Sequence, residues 1–215
     1  TTDPLAKGHL VIKCVAQSPE KRTIEVPNPY KDRAVAYLVE TDLINAAGVS
    51  RFTIEPGKTY KYQLNVTPLI GGVYTGSITF TEELEPQKYI WYTVSVETER
   101  AGARGELALR TEIRKTVACE IVLHNPLEEA LTFEAILEGE GLLGDPVISI
   151  PPKKTVNYEL SFLPLKVFSE SGSVSFVNER VGEVWYDLTL VSQEQKTEKL
   201  PLIRAELGTS SEFKI

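Results

Sequence analysis

The residues whose types could carry chemistry are few, and their spacing suits none of the common chemistries. Two cysteines, Cys14 and Cys119, and two histidines, His9 and His124, are the whole supply of thiols and imidazoles. A zinc site wants such ligands in closely spaced pairs, and no pair of that kind exists here. Neither cysteine has a histidine or a pair of cations beside it in sequence, so both read as packing residues rather than reactive thiols. A Ser-His-Asp triad is defined by geometry, which a sequence alone does not fix. There is, however, no nucleophile elbow and no glycine-rich phosphate loop. The carboxylates Glu128-Glu129 and Glu138-Gly139-Glu140 read as solvated loop charge, with calcium binding the weaker alternative because the regular aspartate spacing of a calcium loop is missing. The expectation is a protein that is not an enzyme, with no cofactor and no metal.

The elements that would position any site come in two copies. Gly8, Leu10, Ile12, Ile24, Val26, Asn28 and Pro29 match Gly105, Leu107, Leu109, Ile121, Leu123, Asn125 and Pro126 at an offset of 97. From Ile54 to Phe80 the offset is 96, carrying Tyr62-Gln63-Leu64 onto Tyr158-Glu159-Leu160 and Gly76-Ser77-Ile78 onto Gly172-Ser173-Val174. Trp91-Tyr92 meets Trp185-Tyr186 at 94. The slips fall where loops tolerate insertions. Within each copy, apolar residues alternate, as in Tyr60, Tyr62, Leu64, Val66 and in Val156, Tyr158, Leu160, Phe162. That is the period of a half-buried strand. About seven short strands per copy, broken by Pro, Gly and Asn, predict an all-β chain: two tandem immunoglobulin-like antiparallel β-sandwiches, end to end. Residues 38–48 read as a strand followed by a loop, with a helical turn the weaker alternative.

The turn positions have physical roles. Asn28-Pro29 and Asn125-Pro126 close one strand, since asparagine can bond its own backbone and proline fixes φ. Pro56-Gly57 and Pro151-Pro152 open the turn before the next long strand, the second copy lacking the glycine. The division expected is a linker over 1–7, a first domain over 8–98, a linker over 99–104, a second domain over 105–198, and over 199–215 the start of a truncated third repeat. That last expectation rests on Pro201–Leu207 matching Leu107–Ile113 at an offset of 94, and the segment is expected to lack a partner sheet of its own. The chain has no methionine, which reads as a stretch of something longer.

Charge narrows the partners. The net charge is −7, with 11 Lys+Arg against 12 Asp+Glu in residues 1–100 and 12 against 18 in residues 101–215. An acidic chain without a basic stripe is unsuited to nucleic acid. No apolar run approaches the roughly 20 residues of a membrane-spanning helix. Cys14 and Cys119 fall at non-corresponding positions of the repeat, so the disulfide of an antibody-like domain cannot form within either copy, and unpaired thiols fit a reducing compartment. Asn65-Val66-Thr67 is a glycosylation triplet. It reads as accidental, because it lies in a strand pattern and the second copy has Ser161-Phe162-Leu163 there. His124, where the first copy has Pro27, reads as a solvated loop residue. Trp91 and Trp185 fall on the strand face opposite Tyr92, Val94 and Val96, and they either cover an end of the sandwich or anchor a partner.

Asn28-Pro29, Phe52-Thr53-Ile54-Glu55-Pro56-Gly57, Val66-Thr67-Pro68 and Gly72-Val73-Tyr74-Thr75-Gly76-Ser77-Ile78-Thr79-Phe80 together resemble the ASH domain of Hydin-like proteins, a sandwich related to the major sperm protein and PapD-like folds. The closing Trp-Tyr pair followed directly by another copy is similar to large cilia- and flagella-associated proteins that string such domains together. The second copy departs from the pattern, with Glu170 for Tyr74 and Phe168 for Gly72. The resemblance implies a structural module in the cytoplasm of the motile cilium or flagellum, in the axonemal central apparatus. Its partners would be other axonemal or cytoskeletal proteins and neighbouring immunoglobulin-like domains of the same chain, with no nucleic acid and no membrane. An alternative it implies is a receptor for short peptide motifs. For acidic motifs the cations available in the first copy are Lys31, Arg33, Lys58 and Lys61. Candidate partner contacts are therefore Trp91, Trp185, Lys31 and Arg33.

Overall fold

The computed structural model describes residues 5–195. The third-repeat start expected over 199–215, and residues 1–4 of the first linker, lie outside the described residues. Within them every regular element is a strand. The first copy contributes β1 (Gly8–Val15), β2 (Glu20–Pro27), β3 (Val35–Thr41), β4 (Ala46–Ala47), β5 (Arg51–Ile54), β6 (Thr59–Val66), β7 (Gly72–Glu82) and β8 (Tyr89–Glu99). The second contributes β9 (Gly105–Glu112), β10 (Val117–His124), β11 (Leu131–Glu138), β12 (Leu142–Leu143), β13 (Val147–Ile150), β14 (Thr155–Phe162), β15 (Phe168–Asn178) and β16 (Gly182–Gln193).

Each copy is a sandwich of a five-stranded and a three-stranded sheet. The orders are β1-β8-β7-β3-β5 over β2-β6-β4, and β9-β16-β15-β11-β13 over β10-β14-β12. The repeat in sequence is thus a repeat in topology. Two features add to the sequence expectation of about seven strands. A two-residue strand, β4 or β12, pairs with the end of β6 or β14. The first strand of each copy also pairs parallel to the last, Gly8 with Tyr92 through Val15 with Glu99, and Gly105 with Tyr186 through Glu112 with Gln193. Each sandwich is therefore tied at one sheet edge by its own two ends. Residues 38–48 hold the end of β3, a turn and β4, with no helical turn.

Alternation sets the core. Tyr62, Leu64 and Val66 of β6 are buried with Ile78 and Phe80 of β7 and Val94 and Val96 of β8, while Tyr158, Leu160 and Phe162 of β14 are buried with Val174, Phe176, Leu188 and Leu190. Edge-to-face aromatic pairs sit at matching positions, Tyr62 on Phe80 at 5.1 Å and Tyr158 on Phe176 at 4.9 Å. Cys14 and Cys119 are free thiols packed against the flanks of the two cores, and burial pushes the Cys119 thiol up.

The turn asparagines do more than close a strand. Asn28 Nδ2 donates to the carbonyls of Arg33, Ile54 and Glu55 at 2.9 to 3.1 Å, and its Oδ1 accepts from the Tyr30 amide at 2.8 Å. Asn125, fully buried, repeats this with Glu129, Ile150, Pro151 and Leu127. One side chain thus satisfies backbone groups in two segments, the loop that it opens and the end of β5 or β13. Lys153 adopts the left-handed φ of 55° at the place where the first copy has Gly57 at 65°.

Candidate functional site: an inter-sandwich joint

The most elaborate polar constellation lies where the two sandwiches meet. Strand β8 leads at Glu99 directly into Arg100, whose guanidinium reaches over to β16. Arg100 Nη2 donates to Glu183 Oε1 at 2.6 Å and Nε donates to both carboxylate oxygens at 3.0 Å. The same Nη2 donates a very short bond to Ser175 Oγ on β15. The flat guanidinium lies on the Trp185 ring with its carbon 3.9 Å from the centroid. A forked donor against a carboxylate and a planar cation on an indole are the two contacts for which arginine, unlike lysine, is shaped. With Arg100 partly exposed, the stack contributes about 0.5–1 kcal/mol. Only 10% of the Glu183 side chain is exposed.

The backbone closes the rest of the joint. Trp185 Nε1 donates to the Ala101 carbonyl at 2.6 Å, and the Arg104 amide donates to the Trp185 carbonyl at 2.8 Å, so the linker is fastened along one indole. From the loop after β1, Gln17 Nε2 donates to the Glu183 carbonyl at 2.7 Å. Gln17 is itself held in a left-handed turn whose amide donates to the Pro68 carbonyl. The loop end of the first sandwich, residues 17 and 68–71, therefore faces the hairpin end of the second, residues 175–185. By composition the segment 97–105 reads as flexible but too short to let the domains roam; in the structure Arg100, Ala101 and Arg104 are each pinned.

The tryptophans named from sequence sit at equivalent places. Trp185 is half-buried under Arg100. Trp91 is half-buried on β8, its carbonyl accepting from the Lys7 amide at 2.8 Å as that of Trp185 accepts from Arg104. The contact partner at Trp185 is this chain's own linker. Lys31 is exposed. Arg33 is already occupied: Nη2 donates to Glu85 Oε1 at 2.6 Å, lies 3.7 Å from the buried Glu82 carboxylate, and its guanidinium stacks on Tyr30 at 3.8 Å. Tyr30 also donates to Glu82 at 3.0 Å, and Lys88 pairs with Glu85 at 2.6 Å. Hydrogen bonds from Lys88 first, then Arg33, hold the Glu85 carboxyl below its ordinary value. This cluster clasps the β7–β8 hairpin to the β2–β3 loop. The second sandwich makes the same clasp with its charges exchanged, Glu129 accepting from Arg180 at 2.8 Å. His124 is the last residue of β10, exposed and bonded to Thr155, not a loop residue; it continues the alternation of the strand with Thr155 as its ladder partner. Asn65 is a half-buried strand residue paired with Lys21 and Ala47. No group of three or more His, Cys, Asp or Glu side chains that could hold a metal ion occurs among the described residues.

No family profile matches the chain. It is 23% identical over 215 aligned positions to Hydrocephalus-inducing protein of Mus musculus, covering 96% of this chain and 4% of that protein. It is 24% identical over 248 positions to Cilia- and flagella-associated protein 47 of Homo sapiens, covering 95% of this chain and 8% of that protein. The two immunoglobulin-like sandwiches are thus similar in sequence to Hydin-like proteins. The Hydin-like pair thus spans only a small part of the length of the curated relatives it matches. A solved structure, the CupB2 chaperone of Pseudomonas aeruginosa, matches 85% of this chain and 98% of its own at a TM-score of 0.34 and 13% identity. Of the two relatives, the human one is cilia- and flagella-associated by name.

The basic residues proposed from sequence do not converge in the Hydin-like pair. Arg33 is spent on the hairpin clasp and Lys31 stands apart from it. The joint itself is missing from the sequence reading because Arg100, Gln17 and Glu183 belong to no motif. The one legible signal was Trp185 on the outward face of its strand.

Proposed function

We propose that this chain is a non-enzymatic structural and protein–protein interaction segment of a large repeat scaffold in the axoneme of the motile cilium or flagellum, in the central apparatus, contributing to cilium assembly or motility. The observation that carries the reading is the joint: two like sandwiches fixed to one another by a dedicated set of contacts, Arg100 on Glu183 and Trp185, in a chain similar over most of its length to Cilia- and flagella-associated protein 47. A fixed joint passes position and force along a chain, which suits a strut better than a freely tethered receptor. The partners are other axonemal or cytoskeletal proteins, met through the sandwich sides that the joint leaves open. Cross-linking mass spectrometry on intact cilia tests this. Reproducible cross-links from these domains to a fixed set of axonemal neighbours are expected. Absence from the axoneme, or capture of interchangeable short peptides in place of fixed neighbours, contradicts it.

A further inference from the structure

At the joint, two glycines let backbones from different parts of the chain meet. A Cβ on Gly182 would stand 2.6 Å from the Leu69 carbonyl oxygen and 2.9 Å from Gln17 Nε2, and one on Gly71 would stand 3.0 Å from both the amide nitrogen and Cα of Arg100. The first distance is closer than side-chain carbons approach, and the obstacle is backbone that cannot swing aside. Gly182 also has a φ of 91°, which a side chain disfavours.

The internal repeat supplies a comparison within one molecule. On the hairpin side, ladder pairing sets Gly182, Glu183 and Trp185 of the second sandwich against Lys88, Tyr89 and Trp91 of the first. On the seat side, Gln17, Leu69 and Gly71 of the first sandwich correspond to Arg114, Leu165 and Val167 of the second, and Arg100 of the linker corresponds to Glu194. Only the tryptophan is common to both hairpin ends. Lys88 carries the Cβ that the seat excludes, and Tyr89 carries no carboxylate for an arginine fork. Val167 would put a branched side chain where the linker runs past Gly71, and Glu194 offers a like charge where Arg100 offers a cation.

We propose that the joint is keyed: the loop end of the first sandwich, through Gly71, Gln17 and Arg100, accepts the Gly182-Glu183-Trp185 hairpin end of the second and rejects a hairpin end of the first sandwich's kind. These residues specify which module follows which and hold the pair as one rigid body. The inference is independent of the ciliary reading, since it concerns one surface inside this chain and is tested without cilia.

Backbone ¹⁵N relaxation on the 215-residue chain decides it. In the unaltered protein both sandwiches reorient with one shared correlation time. Arg100→Glu, which changes only the linker, and Gly71→Val, which copies the residue of the second seat, each release the joint. The correlation time of each sandwich then shortens by up to roughly twofold, because each half-mass body reorients alone. Grafting the first hairpin onto the second, with Gly182→Lys and Glu183→Tyr, does the same. Amide spectra report whether each sandwich stays folded, and should the graft unfold the second sandwich, Arg100→Glu decides. Lys88→Gly, remote from the joint, leaves the shared time unchanged. Two separate correlation times in the unaltered chain, or one shared time in either Arg100→Glu or Gly71→Val, would overturn the proposal.

Discussion

Asn28 and Asn125 each hold four backbone groups with one small side chain, and the cost of losing one should be correspondingly large. Removal of the Asn125 amide leaves the carbonyls of Glu129, Ile150 and Pro151 and the Leu127 amide without this partner at a site closed to solvent. Asn125→Ala is expected to destabilise the second sandwich by about 2–4 kcal/mol, read from urea unfolding, while the first sandwich is unaffected. The sequence marked this residue as a turn former because Pro126 follows it. Two of its four partners, Ile150 and Pro151, lie 25 and 26 positions away, and no local pattern shows them. Tyr37 offers a second test. Burial, and then the nearby Glu82 charge, push its phenol from 10.0 up to about 12. A group whose folded pKa lies above its unfolded one contributes stability that is complete below the unfolded value and lost as pH rises through the folded value. The first sandwich should therefore weaken between pH 10 and about 12, and Tyr37→Phe should reduce that loss. An alkaline unfolding profile identical in the variant and the parent would remove Tyr37 as the cause.

The strands and their inward faces were legible because alternation has one meaning on a half-buried sheet. What alternation does not encode is direction: β1 carries the same period whether it pairs parallel or antiparallel, so its parallel seam with β8 had to be seen. The hairpin clasps were equally hidden, since Arg33 with Glu85 and Arg180 with Glu129 are reversed in sign between the copies and so do not align as a repeated motif. Their pH response follows from the carboxylates. Hydrogen bonds from Lys88 and Arg33 to Glu85, and from Arg180 to Glu129, lower both acids from 4.5. For a lowered acid the stabilisation is present above the unfolded pKa and disappears as pH falls through the folded one. Hydrogen exchange, corrected for its intrinsic pH dependence, should show the Glu82–Lys88 and Asn178–Gly182 hairpin ends losing protection below about pH 4 before the central strands β6 and β14 do. Simultaneous loss throughout each sandwich would show that the clasps do not govern the hairpins.

At the scale of the molecule, the repeat announced two domains joined by a linker that is flexible by composition but too short to let them roam, and the structure supplies the contacts that composition could not name. Arg100 stacked on Trp185 and forked onto Glu183 turns six nominally flexible residues into a coupling between the loop end of one sandwich and the hairpin end of the next. That coupling is the central claim, because a scaffold built of such domains depends on how each is held to its neighbour. Contacts between opposite ends of two sandwiches imply an extended particle. Small-angle X-ray scattering on the dilute chain measures this directly. The account predicts a radius of gyration well above the roughly 17 Å of a globular chain of this length, and a distance distribution with the shoulder of two separated centres of mass. A value near that globular figure, with a single symmetric peak, would contradict it.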